Sequence, residues 1–155
     1  MKSFFRQYLK DITLKDCLFE NPTLTDLYSA DDNLSLLVTR ADGFTVENCE
    51  FIRDENHVGK GVHFWQTHNS KIINSVFDGF FFTFINIYGA LKDSDSNFPR
   101  EYRTFNTLIE NNLIENGCVL LSNGTFGEGF MILNNQAKDF IYNDTSPVTV
   151  NNKIF

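Results

Sequence analysis

A six-residue motif recurs along the chain and constrains its fold more than any other feature. Its pattern is an apolar residue or Thr, any residue, Asn or Asp, a small polar residue or Cys, any residue, and an apolar residue. The copies are "LKDCLF", "VENCEF", "IINSVF", "IENNLI", "ILNNQA" and "TVNNKI", beginning at Leu14, Val46, Ile72, Ile109, Ile132 and Thr149. Successive copies are 32, 26, 37, 23 and 17 residues apart. Such recurrence is typical of solenoids, in which each repeat packs on the next.

The middle of the motif predicts a bend. The outer residues of a copy lie five positions apart, and a flat strand would turn them to opposite faces. Asn and Asp tolerate left-handed backbone and bond to their own local peptides. We therefore expect a corner at the third residue of each copy, with the side chains stacked in a buried file that satisfies their hydrogen bonds. These residues are Asp16, Asn48, Asn74, Asn111, Asn134 and Asn151.

A strand and a polar turn precede two of the corners. "LSLLVTRADGFTVENCEF" and "GVHFWQTHNSKIINSVFDG" both indicate strand, turn, strand and corner, with the turns at 40–43 and 68–70. The pattern predicts rungs at 34–58, 59–79, 80–117, 118–139 and 140–155, with an incomplete one near 12–22. A one-sided apolar stripe predicts a helix at 2–10, inside an N-terminal cap at 1–11. The charged segment 91–104, "LKDSDSNFPREYRT", predicts an excursion loop.

Composition bounds the class of protein. The length of 155 residues indicates one domain, 1–155, and a 42% hydrophobic content with 17 Phe indicates a folded core. The net charge of −7 argues against nucleic acid as a partner, because phosphate contacts need clustered Lys and Arg. No apolar run has the length of a signal peptide or a membrane helix. A cytoplasmic and a virion-associated location both stay open.

The three cysteines have neither zinc-ligand spacing nor an even count, so we expect no metal site, no cofactor and no disulfide framework. Cys17 and Cys49 occupy the same position of the motif. Stacked rungs would bring them within the distance that a disulfide requires, but we expect a ladder of free thiols.

The phrases "GVHFWQTHNSKIINSVF" and "NTLIENNLIENG" resemble the repeat of right-handed parallel β-helices of the pectin lyase-like superfamily, which includes polysaccharide lyases, glycoside hydrolases and phage tailspikes. The resemblance covers residues 12–155. It implies an all-β fold, a single-stranded right-handed parallel β-helix of about five to six rungs capped by a short N-terminal helix. By analogy with tailspikes it implies polysaccharide binding, with or without cleavage, and a homo-oligomer, for which a trimer is the candidate state.

An outward-facing file of residues is the predicted binding surface. Aligning the rungs by their glycines places Val62 and Phe64 inward with Phe80 and Phe82, and places His63 and Trp65 outward near Phe81 and Thr83. Leu37 and Thr39 precede them in the same files. Trp65 could stack on a sugar ring with His63 as a hydrogen-bond donor, and Lys60 and Arg103 are further candidates for substrate binding. We expect His57 and His68 to be surface residues of turns.

The same face supports a second hypothesis from a different class. A file containing Leu37 and Phe81 is too apolar for plain exposure to water, so it could instead dock another protein chain. The chain ends at "VTVNNKIF", inside a motif copy and without a polar cap, so we expect a partner or further sequence to cover that end. The alternative function is therefore a non-catalytic, acidic protein-binding or inhibitory module.

Catalytic residues are weakly indicated. Hydrolysis of a glycosidic bond needs two carboxylates about 5 to 10 Å apart. Asp78 with Asp93, Asp95 or Glu101 of the loop is the pairing that the pattern allows, although a solvated charged loop explains these residues as well. A lyase would need a basic residue such as Arg100, Arg103 or Lys60.

Overall fold

The computed structural model describes residues 8–20, 34–53, 59–79, 83–88, 104–121, 129–142 and 147–155. These residues form 17 strands. In chain order they are β1 Leu9–Lys10, β2 Thr13–Lys15, β3 Leu18–Glu20, β4 Leu34–Thr39, β5 Ala41–Asp42, β6 Thr45–Glu47, β7 Glu50–Ile52, β8 Lys60–Trp65, β9 Lys71–Ile73, β10 Val76–Asp78, β11 Thr83–Tyr88, β12 Leu108–Glu110, β13 Leu113–Leu121, β14 Met131–Leu133, β15 Gln136–Tyr142, β16 Val148–Val150 and β17 Lys153–Ile154. The prediction of an all-β fold is confirmed.

The six motif copies build one six-stranded sheet. Its strands are parallel and follow the order of the copies along the chain, β2-β6-β9-β12-β14-β16. The first residue of each copy pairs with the first residue of the next, in the series Leu14, Val46, Ile72, Ile109, Ile132 and Thr149. The motif thus sets the register of the sheet.

The nine-stranded sheet holds the strands that follow and precede the corners. After the corner, Phe19, Phe51 and Phe77 lie in register and stack with ring centroids 4.7 and 4.8 Å apart. Strands β4, β8 and β11 stack in the same parallel way. The long strand β13 continues both stacks, since its first part pairs with β10 and its last part with β11. Its pairing with β15 shifts register between Ile114 and Cys118. Apolar side chains from both sheets form one core.

All six predicted corners have left-handed backbone. The φ angles of Asp16, Asn48, Asn74, Asn111, Asn134 and Asn151 lie between 52° and 56°. The expectation that these side chains are buried is wrong, since all six are exposed. The residue after each corner points inward instead.

Those inward residues form the buried ladder that the sequence placed one position too early. We call the file Cys17, Cys49, Ser75, Asn112, Asn135 and Asn152 the inner ladder. Asn112 donates its Nδ2 hydrogens to Ile72 O and Asn135 Oδ1, both at 2.9 Å, and accepts from the Ser75 amide at 2.9 Å. Asn135 repeats this pattern with Ile109 O, Asn152 Oδ1 and the Asn112 amide. Asn152 donates Nδ2 to Ile132 O and accepts from the Asn135 amide. The buried amides are therefore satisfied by neighbouring copies.

A second file of corners lies five residues before the first. Asp11, Gly43, Asn69, Asn106 and Gly129 all have positive φ. Asn106 donates Nδ2 to Asn69 Oδ1 at 3.0 Å, and Asn69 donates to Asp42 Oδ1 at 2.7 Å. The first five motif strands are consequently bounded by a left-handed residue at both ends.

The N-terminal helix is not seen in the described residues. Leu9 and Lys10, the last residues of the predicted helix, form strand β1 and pair in parallel with Ala41 and Asp42. The Leu9 amide donates to Arg40 O, so backbone pairing with the next copy replaces the helical bonds. Residues 2–7 and 91–103, where the rest of the helix and most of the excursion loop were predicted, lie outside the described residues.

Candidate functional site

Strands β4 and β8 present the predicted binding face. Leu37 pairs with His63 and Thr39 pairs with Trp65, as the sequence predicted. Val62 and Phe64 alternate with them and are fully buried, so Leu37 and Trp65 face outward, with 48% and 38% of their surfaces exposed. Trp65 therefore presents a partly exposed aromatic side chain on the outer face of a parallel sheet.

The register with the third strand differs from the prediction. His63 pairs with Asn86 and Trp65 pairs with Tyr88, whereas the sequence alignment placed Phe81 and Thr83 there. Val62 and Phe64 pair with Ile85 and Ile87, in place of Phe80 and Phe82. Phe81 itself lies outside the described residues.

The misalignment has a physical cause at Gly79. The alignment treated this glycine as the equivalent of Gly61 in β8, but Gly79 lies one residue after β10 with a φ of 123°. A Cβ there would be 1.8 Å from Arg53 O. Gly79 thus marks a close approach of two chain segments and does not mark the start of β11.

Two of the predicted sugar-binding side chains are not on the open surface. Both ring nitrogens of His63 are shielded from solvent, which differs from the role of an accessible donor. Lys60 begins the same strand but is only 7% exposed, in contrast to the predicted substrate contact. Trp65 and Leu37 therefore supply the accessible part of this face, and Arg103 lies outside the described residues.

The predicted carboxylates are only partly described. Asp78 ends strand β10 and pairs with Ile52, and its backbone carbonyl accepts from the Arg53 amide at 2.9 Å. Asp93, Asp95 and Glu101 lie outside the described residues. Among the described residues no group of His, Cys, Asp and Glu side chains could hold a metal ion.

Arg53 is a buried cation that the sequence reasoning missed. It is 2% exposed, and Nε and Nη2 donate to Ser35 Oγ at 3.3 and 3.1 Å. Burial lowers the pKa of the Arg53 guanidinium to about 10. The signal was present in "EFIRD", because alternation from the inward Phe51 places Arg53 on the same face.

His68 is also buried, which makes its assignment to the turn surface wrong. Its ring stacks between Tyr8 and Phe105, with centroids 4.8 and 4.0 Å away. His68 forms parallel bridges with Asp42 and Phe105, so it belongs to a short stack of chain segments. His57 lies outside the described residues.

The outer face of the six-stranded sheet becomes apolar toward its C-terminal strands, which was not predicted. Ile109 and Ile132 point inward, so their neighbours point outward. Met131, Val148 and Val150 are exposed, and Leu108 and Leu133 are half-buried beside them. We call these five residues the C-terminal apolar patch.

Two polar grooves follow the exposed corner file. One, of about 330 Å³, is lined by Asp16, Cys17, Leu18, Asn48, Cys49, Glu50, Asn74 and Val76. The other, of about 400 Å³, is lined by Asn134, Gln136, Asn151, Asn152 and Lys153. The first groove opens onto the two cysteines of the inner ladder.

The part of the chain that the structure describes contains no helix able to cross a membrane. No model of a known protein family matches the chain, and neither does a curated protein or a solved structure.

Proposed function

We propose that the chain is a right-handed parallel β-helix that binds a polysaccharide on the outward face of β4, β8 and β11. The parallel pairing of successive motif copies in chain order supports the proposed β-helix. Right-handed crossover is the strong rule for parallel strands of one sheet. The proposal takes the motif copies as rungs and the left-handed residues as their corners.

The observation that carries the binding proposal is the exposed indole of Trp65 in this setting. Thr39 pairs with it on one side and position 88, a tyrosine, pairs with it on the other. The apolar faces of sugar rings pack on an aromatic ring, while hydroxyl and amide groups nearby fix the orientation of the sugar.

The observed register favours a sugar over a protein at this face. The neighbouring file runs through Leu37, His63 and position 86, an asparagine, where a phenylalanine had been predicted. A protein partner was expected here because of Leu37 and Phe81, and Phe81 is not the residue in register with His63. The register therefore removes one of the two residues that favoured a protein at this face. We propose binding at this face and assign no reaction to it.

A glycan array probed with the full chain, followed by calorimetric titration of the glycans that bind, tests this proposal. Trp65→Ala should weaken binding by about tenfold or more, and Trp65→Phe should retain part of it because a ring remains. Met131→Ala, on the other sheet, is the matched control and should bind like the parent chain. Unchanged affinity in Trp65→Ala, or no glycan bound by the parent, would contradict the proposal.

The C-terminal apolar patch favours a second candidate function, docking to another copy of the chain. Contiguous exposed apolar residues mark interfaces, and in this patch Met131 pairs with Val148 while Leu133 pairs with Val150. Met131→Glu should then lower the mass in solution measured by light scattering, while Lys71→Glu on the same face should not. A parent chain that is monomeric at all concentrations would exclude this candidate.

A further inference from the structure

We propose that Cys17 and Cys49 are a site of oxidative modification, at which a low-molecular-weight disulfide converts the two thiols into a cross-strand disulfide. The modification would join the first motif copy to the second. It does not depend on polysaccharide binding, because neither cysteine belongs to strand β4, β8 or β11.

The pairing of strands places the two cysteines side by side. On one side of them Lys15 pairs with Glu47, and on the other Leu18 pairs with Glu50. The Glu50 amide donates to Cys17 O at 2.8 Å, which locks this register at the cysteine itself.

The spacing at this point fits a disulfide. Two residues further along the same strands, the rings of Phe19 and Phe51 are 4.7 Å apart and within 4° of parallel. Disulfides join residues whose Cα atoms are roughly 4.4 to 6.8 Å apart. Stacked strands therefore bring the two cysteines into range with little movement of the backbone.

The thiols differ in access, which gives them different roles. Both cysteines line the groove of about 330 Å³, but Cys17 is half-buried and Cys49 is only 2% exposed. The Cys49 Sγ lies 3.3 Å from Glu47 O and 3.6 Å from Leu14 O, and its single hydrogen is donated to one of the two. Burial raises the pKa of the Cys49 thiol, so Cys49 is the poorer first nucleophile. The groove lets a small disulfide reach Cys17.

The reaction follows ordinary thiol–disulfide exchange. The thiolate of Cys17 attacks one sulfur of oxidised glutathione, and one glutathione thiolate leaves and takes up a proton. Cys49 then loses its proton and attacks the mixed disulfide at the sulfur of Cys17, releasing the second glutathione. The two cysteines are oxidised by two electrons in total, and the glutathione disulfide is reduced by two.

The third cysteine serves as an internal comparison. Burial, together with the carboxylate of Asp139, raises the pKa of Cys118 to about 11. Cys118 pairs with Asp139 in the β13 and β15 register, far along the sheet from the first two copies. It should keep its thiol.

The test is to treat the full chain with oxidised glutathione and map its peptides by mass spectrometry without reduction. The parent and Cys118→Ser should each yield a Cys17–Cys49 linked peptide and no lasting glutathione adduct. Cys49→Ser should instead trap one glutathione on Cys17, and Cys17→Ser should gain none. Serine suits both positions, since Ser75 occupies the same ladder and bonds to Ile73 O at 3.0 Å and to the Cys49 amide at 3.1 Å.

A thermal melt gives a second readout that does not depend on peptide recovery. Closing a loop of this length should raise the Tm of the oxidised parent by about 10 °C, and the rise should vanish with a reducing agent. A persistent glutathione adduct on parent Cys17, or three alkylatable thiols after oxidation, would overturn the proposal.

Discussion

The rings of Phe51 and Phe77 stack face to face across neighbouring strands, with centroids 4.8 Å apart and planes 2° from parallel. Both side chains are fully buried, and Phe19 extends the column on the other side of Phe51. The last residue of three motif copies therefore forms one continuous aromatic column. Its central ring has a stacking partner on each face.

Loss of the central ring, that of Phe51, should destabilise the folded state. Phe51→Ala is expected to lower the free energy of unfolding by about 3 to 5 kcal/mol, because it removes buried area and leaves a cavity between two rings. Urea denaturation measures the change. Phe155→Ala, at a residue that is 59% exposed, should stay within about 0.5 kcal/mol of the parent. Equal effects of the two substitutions would contradict the stacking geometry.

Substitutions at the exposed corner residue Asn74 distinguish the contribution of backbone strain to stability from that of side-chain hydrogen bonding. Its φ is 52°, and its Oδ1 accepts from Asn111 Nδ2 at 3.3 Å. Asn74→Gly and Asn74→Ala both lose this bond, but only the alanine places a Cβ in left-handed backbone. The alanine variant should be less stable than the glycine variant by about 1 to 2 kcal/mol in urea denaturation. Equal stability of the two variants would contradict the expected cost of a Cβ in left-handed backbone at position 74.

The inner ladder predicts a pH-dependent defect in Asn112→Asp. One carboxylate oxygen would face Ile72 O and Asn135 Oδ1, where the amide now donates hydrogens. Repulsion and burial should raise the pKa of this Asp in the folded state above its ordinary value of about 3.9. Since the folded state then favours the protonated form, the loss of stability should be small below that ordinary pKa. It should grow as the pH rises, until the pKa of the folded state is passed.

The check is urea denaturation of this variant and the parent at about pH 5 and about pH 8. Asn111→Asp, one residue away on the exposed file, is the matched control and should show a much smaller change with pH. A deficit of Asn112→Asp that is the same at both pH values would contradict the buried position.

Two glycines of positive φ should differ in their tolerance of alanine. A Cβ at Gly79 would lie 1.8 Å from Arg53 O, which is backbone, whereas a Cβ at Gly129 would lie 2.2 Å from Asn106 Oδ1, a side-chain atom that can rotate away. Gly79→Ala should therefore cost more than about 3 kcal/mol or prevent folding, and Gly129→Ala should cost about 1 to 2 kcal/mol. Soluble yield and thermal melts measure both, and the reverse order would contradict the close contact at Gly79.

The all-β class, the six corners and the facing of Leu37 and Trp65 were predictable because they follow from residue chemistry and strand alternation. Asn tolerates left-handed backbone wherever it lies, so the φ angle could be inferred from the sequence. Which side chain is buried at the corner could not be inferred from the sequence, because the inward direction depends on how the chain turns after Asn48 or Asn111. The bend displaced the buried position by one residue.

The candidate site was harder to predict because it depends on register across copies of unequal length. Glycines were the available markers of strand register in the sequence. Gly79, however, is required by its close contact with the Arg53 backbone, and using it as a marker placed the third strand five residues too early. His68 was misjudged for a similar reason. Its polarity indicated a turn surface, whereas Tyr8 and Phe105, distant in sequence, enclose its ring.

In the six-stranded sheet each motif strand contacts only the strands of the copies before and after it. Genetic duplication or deletion of one whole repeat would therefore leave the remaining pairs unchanged, provided that a corner residue and an inward apolar residue return at the same points. The intervals between copies range from 17 to 37 residues, while the pairing of the motif strands keeps one register. Length is thus a trait that evolution can adjust in such a chain without redesigning its interior.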